Sequence, residues 1–272
     1  MYNYEIIDAH CHVYPEKIAR KAAENIGVFY GYPVPEFDGG EPGTIEAHLY
    51  QGRKLNFKGY CVSGAATSAK QVISVNDGLI ALTKLDIPET IYAFGTAHPD
   101  FPNNGDELQR IKSLGLKGIK LHPDCQRFNI DDRSAYSIYD AAQELHLPIL
   151  MHLGDETHDY SSPPRLLNIL RDFPRIRIVA AHLGGYREWD AGLNLAGSKN
   201  LWFDTSSSQS ILPQERVRSQ IRTFGAERCF FGTDFPLWKA EGELKAFLDV
   251  GLTHEENEKI LAKNFKEFIS EE

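Results

Sequence analysis

The feature that most constrains this chain is a repeated unit. A short apolar run, closed in six of eight cases by a polar or ligand-type residue, is followed by an amphipathic stretch. Eight such runs occur: Glu5–His10, Tyr60–Ala65, Ile91–Ala97, Gly118–His122, Pro148–His152, Ile178–His182, Leu201–Thr205 and Cys229–Asp234. Short apolar runs alternating with helix-length segments predict parallel strands joined by helical crossovers. Helical spacing predicts helices over Asp106–Leu114, stopped by Gly115, over Ser134–Leu145, and over Arg165–Leu170 behind Pro163 and Pro164. A last helix is expected over Thr253–Ile269, with Thr253 as N-cap and Glu256 completing a capping box. Closed into a ring, the pattern is a single (β/α)8 TIM barrel over residues 1–272, with an insertion after strand 1 and a C-terminal helix. The competing arrangement is an open doubly wound sheet. No GxGxxG follows the first run, which weakens its dinucleotide-binding form.

One connection is out of scale. Residues 13–59 separate the first two runs and contain VFYGYPVPEFDGGEPG. Connections this long are uncommon unless functional or disordered. Phe29, Tyr30 and Tyr32 favour a packed, lid-like insertion over disorder, with a simple surface insertion as the alternative.

Net charge bears on partners. At −9, the chain is a poor match for nucleic acid or an anionic membrane surface. The cysteines, Cys11, Cys61, Cys125 and Cys229, are scattered without a CxxC pair, so no disulfide framework is expected. No segment reaches the roughly 20 apolar residues of a membrane span, and the start MYNYEIIDAH has no basic leader. A cytoplasmic protein is expected, and a homodimer is the base-rate oligomer.

The run ends carry the chemistry. In a strand, residues i and i+2 face the same way, so His10 and His12 point together and Cys11 points oppositely. Two neutral imidazoles so placed can chelate a divalent metal, although an HxH pair alone is more often two ordinary histidines. Other runs add to it: Lys120 and His122 in GIKLHP, His152 in PILMHLG, His182 in VAAHLGG and Asp234 in FFGTDFP. In a barrel these ends converge on one face, where active sites lie. Asp204 ends the seventh run, where it either binds substrate, orients His182 or makes a structural hydrogen bond. His98 either lines the mouth or caps a helix. Asp8 and Thr233 fit orienting partners of the ligands, and Gly184-Gly185 fits tight backbone geometry.

The stretches IIDAHCHVYP, GLKGIKLHPDCQRF, LPILMHLG, IVAAHLGG, LWFDTSS and FFGTDFP, in this order on successive strands, resemble the amidohydrolase superfamily. The likeness is to its amidohydrolase-related branch, which includes enzymes like aminocarboxymuconate semialdehyde decarboxylase. The resemblance implies one divalent metal on His10, His12, His152 and Asp234, with His182 beside it as acid/base or substrate-orienting group. Nitrogen and oxygen donors suit zinc first, with manganese or iron as alternatives. In binuclear members a carboxylated lysine ends strand 4. Lys120 would then bridge a second metal held by His152 and His182. A plain Lys120 amine facing a substrate carboxylate or Asp234 is the favoured alternative.

The function so implied is metal-dependent hydrolysis of an ester, lactone or amide in a small carboxylated substrate, with Asp234 handling the proton. The runner-up is a lyase: non-oxidative decarboxylation or hydration of an aromatic or muconate-type acid on the same residues. A non-catalytic binder is the third class, and the intact ligand set argues against it.

Overall fold

A computed structural model describes residues 4–270; the outer bounds expected for the domain, 1 and 272, lie outside the described residues. Eight strands run in parallel in the order of the sequence. They are β1 (Ile6–His12), β2 (Phe57–Ser63), β3 (Thr90–Thr96), β4 (Gly118–Leu121), β5 (Ile149–Met151), β6 (Ile178–Ala180), β7 (Leu201–Asp204) and β8 (Cys229–Phe230). The ring is closed by the segment after β8. The Ala9 amide donates to Phe231 O at 2.8 Å, Asp234 N to His10 O at 2.9 Å, and His12 N to Phe235 O at 2.7 Å. The architecture is a TIM barrel, as the repeated unit predicts, and the open sheet is excluded.

Inside the ring, Ile7, Ala9, Phe94, Leu150, Val179 and Phe230 pack as one apolar cluster. The C-terminal helix plugs the bottom of this cluster with Ala262, Phe265 and Phe268. Thr253 caps it and the Glu256 box forms, as expected. It is not one regular helix, however. A π turn over Lys259–Lys263 separates His254–Glu258 from Asn264–Ser270. The extra residue per turn re-aims the aromatic face, a change that helical spacing does not encode.

The strand limits differ from the sequence expectation mainly at the upper ends. β1 runs two residues further, so both histidines of HCH are in the strand. β5, β6 and β8 stop early, and His152, His182 and Asp234 follow them in irregular backbone. β1 also carries register shifts, one of them between Asp8 and Cys11. Ile7 and Ala9 join the interior cluster, yet His10, the next residue, turns to the centre of the upper face. A bulge that breaks the two-residue alternation re-aims it.

Residues 13–59 contain two helices, α1 (Glu16–Tyr30) and α2 (Ile45–Leu55). Thr44 caps α2 by accepting from Ala47 N at 3.3 Å. Gly31, at φ +73°, stops α1 in the left-handed region. Gly27 lets the chain turn back, since a Cβ there would lie 2.5 Å from Tyr32 O. No helix among the described residues is long and apolar enough to cross a membrane.

The helix Ala240–Asp249 buries Glu243, which accepts from Gln209 Nε2 at 2.6 Å and from Ser210 Oγ. Burial pushes this carboxyl from 4.5 to about 8. The folded chain therefore binds the proton more tightly than the unfolded chain does. The stability contributed is complete below about pH 4.5 and is lost as pH rises through about 8. Thermal unfolding across this window should show Glu243→Gln losing less stability than the parent chain. Equal pH slopes for the two would refute the assignment.

Candidate metal centre

Asp8 is the fixed point at the barrel seam. Fully buried, its Oδ1 accepts from His10 N at 3.1 Å and Thr233 N at 3.0 Å. Its Oδ2 accepts from His48 Nε2 at 2.7 Å and from the Thr233 hydroxyl at 2.5 Å. His48 comes from α2 and stacks on Phe235, with ring centroids 4.3 Å apart. One carboxylate thus aligns the histidine strand with the loop carrying Asp234.

His10 and His12 face each other, with their Nε2 atoms 3.2 Å apart. Asp234 Oδ1 lies 3.7 Å from the first and 3.5 Å from the second. Asp234 reaches this position in left-handed backbone, at φ +55°, a conformation non-glycine residues avoid outside special sites. Its other oxygen, Oδ2, accepts from Ser207 Oγ at 2.7 Å, and that hydroxyl accepts from Trp238 Nε1 at 2.8 Å.

Each ring has its proton assigned at the far nitrogen. His10 Nδ1 donates to Asp204 Oδ2 at 3.0 Å, leaving Nε2 bare. Ser63 gives its own hydrogen to Cys11 O and so accepts from His12 Nδ1 at 3.2 Å, leaving that Nε2 bare too. His182 Nδ1 donates to Ser206 O at 3.1 Å, and His152 Nε2 to Gly154 O at 2.8 Å. Their bare atoms, His182 Nε2 and His152 Nδ1, lie 3.0 Å apart. Two pairs of imidazole lone pairs therefore confront each other. Lys120, fully buried, places Nζ 2.9 Å from His10 Nε2.

Burial is the largest influence on these groups. It lowers His12 and His182 to about 4, and His122 and His152 well below 6.5. It also brings Lys120 down to about 8, against the pull of Asp234 and Asp204. Burial raises Asp234, but the neighbouring imidazoles of His12, His182 and His10 outweigh it and hold the carboxyl well below 3.8. At neutral pH His12, His122, His152 and His182 are therefore neutral imidazoles beside an ionised Asp234.

All the residues singled out in the sequence lie at the strand ends, but not in one cluster. Donor atoms of His10, His12 and Asp234 lie within 4.8 Å of one another. His152 is absent from that trio and groups instead with His122 and Asp124. Asp204 faces His10 and accepts from the His182 and Ser206 amides, at 3.3 and 3.0 Å. His122 caps the short helix Pro123–Gln126 by accepting from Cys125 N at 3.3 Å. His98 accepts from Asp100 N at 3.2 Å in a local turn. Sequence reading missed His48, Ser206, Ser207 and Trp238; the run TSSS straight after Asp204 was the one available signal. It named Tyr30 only as part of an aromatic insertion, whereas the Tyr30 hydroxyl lies 2.6 Å from His122 Nε2.

The amidohydrolase family model matches residues 7–267, and the chain belongs to that family. None of the curated proteins matches significantly. The fold is similar to 5-carboxyvanillate decarboxylase from Sphingomonas paucimobilis, at TM-score 0.75 and 12% identity over 98% of this chain and 99% of that one. It is similar to a manganese-bound dihydroxybenzoic acid decarboxylase from Polaromonas sp. JS666, at TM-score 0.72 and 13% identity over 98% and 97%. It is also similar to a probable 2-pyrone-4,6-dicarboxylic acid hydrolase from Acinetobacter baumannii, at TM-score 0.70 and 16% identity over 97% and 99%.

Gly154, whose carbonyl holds His152, has φ +78°, and a Cβ there would lie 2.4 Å from Tyr186 O. Gly154→Ala should cost about 2 kcal/mol in thermal or denaturant unfolding, from strain and clash together. A variant as stable as the parent would show that this turn is not constrained.

Proposed function

We propose that the chain is a metal-dependent hydrolase that cleaves an ester, lactone or amide bond in a small carboxylated substrate. One observation carries the reading: unprotonated imidazole nitrogens 3.2 Å apart, with a carboxylate oxygen beside both. Acceptors brought this close repel one another unless a cation sits among them. His10, His12 and Asp234 would hold a divalent ion, with His152 as the fourth ligand of the family pattern. This donor set suits zinc first and manganese second. When bound, the ion would acidify water and polarise a substrate oxygen.

The chain's own groups supply the rest. Asp234, its Oδ2 tied by Ser207, takes the proton of the attacking water at Oδ1 and returns it to the leaving group. Neutral His182, with Nε2 turned inward, orients the reacting group or exchanges a proton with it. Lys120 Nζ offers positive charge to a substrate carboxylate or a developing oxyanion. Its contact with His10 supports a plain amine, with a second ion on carboxylated Lys120 as the weaker variant.

A lyase is the second reading, and burial favours it. His10, His152 and His182 are at most 1% exposed, and decarboxylation gains from excluding water around a carbanion. Two of the similar folds are decarboxylases of aromatic acids.

Elemental analysis should find one zinc or manganese ion per chain and mass spectrometry an unmodified Lys120. Two ions with a carboxylated lysine would replace this centre with the binuclear one. On an identified substrate, His10→Ala and Asp234→Asn should each reduce turnover by about 100-fold or more. Intact turnover in either variant would sink the mechanism. Carbon dioxide release from a panel of aromatic and muconate-type acids would move the assignment to the lyase. Asp204→Asn, which disturbs the His10 tautomer, should weaken divalent-ion affinity about 10- to 100-fold in chelator competition.

A further inference from the structure

Tyr30 lies outside the strand-end set, on the last turn of α1. Its hydroxyl nevertheless reaches two rings of that set, at 2.6 Å from His122 Nε2 and 3.3 Å from His152 Nδ1. The proton positions follow from the far nitrogens. His122 Nδ1 accepts from the Cys125 amide, so its proton is on Nε2 and is donated to the Tyr30 oxygen. His152 gives its proton to Gly154 O, so Nδ1 is bare. Tyr30 then has its own hydrogen left and His152 Nδ1 as its acceptor. Burial keeps the phenol protonated by raising its pKa well above 10. The two imidazoles stack 3.9 Å apart, within 8° of parallel, and the hydroxyl bridges them.

The end of α1 is held there by aromatic contacts rather than by its own length. Tyr30 packs edge-on against Tyr186 at 5.1 Å, and Tyr32 lies 5.0 Å from Trp238 while accepting from Arg187 at 2.5 Å. Val28, two residues back on the same helix, is 82% exposed.

We propose that Tyr30 is a positioning residue whose hydroxyl bridges His122 and His152 and occupies the His152 lone pair, so that docking of the insertion sets how many imidazoles the centre presents. The bridging role stands on hydrogen-bond geometry. The effect on the centre rests on the metal-dependent reading above.

The test is Tyr30→Phe in the full chain, which keeps the ring and removes the bridge. With 15N-labelled histidine, the signals of His122 Nε2 and His152 Nδ1 should move, while those of His10 and His12 stay. Tyr32→Phe removes a hydroxyl from the same segment without touching an imidazole, and it should move none of them. Cobalt(II) titration should then show Tyr30→Phe binding about fivefold tighter, the worth of one ordinary hydrogen bond that no longer competes for His152. Unmoved His122 and His152 signals, or equal movement in Tyr32→Phe, would overturn the bridging role. Unchanged or weaker cobalt affinity in a Tyr30→Phe protein whose signals have moved would overturn the coupling. If neither protein binds cobalt, the metal reading fails, and the nitrogen signals still decide the role of Tyr30.

Discussion

The centre depends on one buried carboxylate that binds nothing but its own chain. Asp8 accepts from His10 N, from both Thr233 donors and from His48, and so joins three segments at the barrel seam. A polar side chain at zero exposure is tolerated only when its oxygens meet donors, and here they do. Everything above follows from this alignment. It places β1 beside the turn holding Asp234 and ties α2, hence the whole insertion, to the floor of the site. The site and its covering segment are thus positioned by the same group.

The second constraint is backbone strain at the upper rim. His182 at φ +57°, Ser207 at +58° and Asp234 at +55° all occupy the left-handed region that side chains with a Cβ avoid. Each follows a short strand and turns a polar side chain back over the barrel mouth. Regular strand geometry would have carried these residues up and away from each other. The apolar cluster beneath gives the ring the rigidity to hold such conformations.

This explains what was legible in the sequence. Strand and helix order follow from local periodicity, so the barrel and the set of strand-end residues could be read directly. The capping box at Thr253 is also local, with a signature four residues long. The grouping within the set was not legible. His152 closes an apolar run of the sequence as His10 does, yet its bare nitrogen turns to His182, because its other nitrogen is claimed by Gly154 two residues on. Asp204 was open between binding substrate, orienting His182 and a structural hydrogen bond, and its meeting with His10, 194 positions away, leaves no local trace in the sequence. His48 sits inside an amphipathic helix with nothing in its neighbourhood to mark it. The bulge between Asp8 and Cys11 leaves no glycine or proline in the sequence to betray it.

A last step concerns why such a centre is tolerated at all. Burying imidazoles, a lysine and carboxylates together costs folding free energy unless each polar atom finds a partner. Here the outer atoms are fully engaged: Nδ1 of His10, His12 and His182, Nε2 of His152, Oδ2 of Asp234. The inner atoms face each other instead. The scaffold thus satisfies the periphery of every group and concentrates the unfavourable contacts at one point. Such repulsion is relieved by a cation or by a donor hydrogen, and under the metal-dependent reading the stability given up in the folded chain would return as affinity for the ion. The lysine in contact with His10 belongs to the same balance, since its charge is the one cationic side chain in contact with that imidazole pair among the described residues.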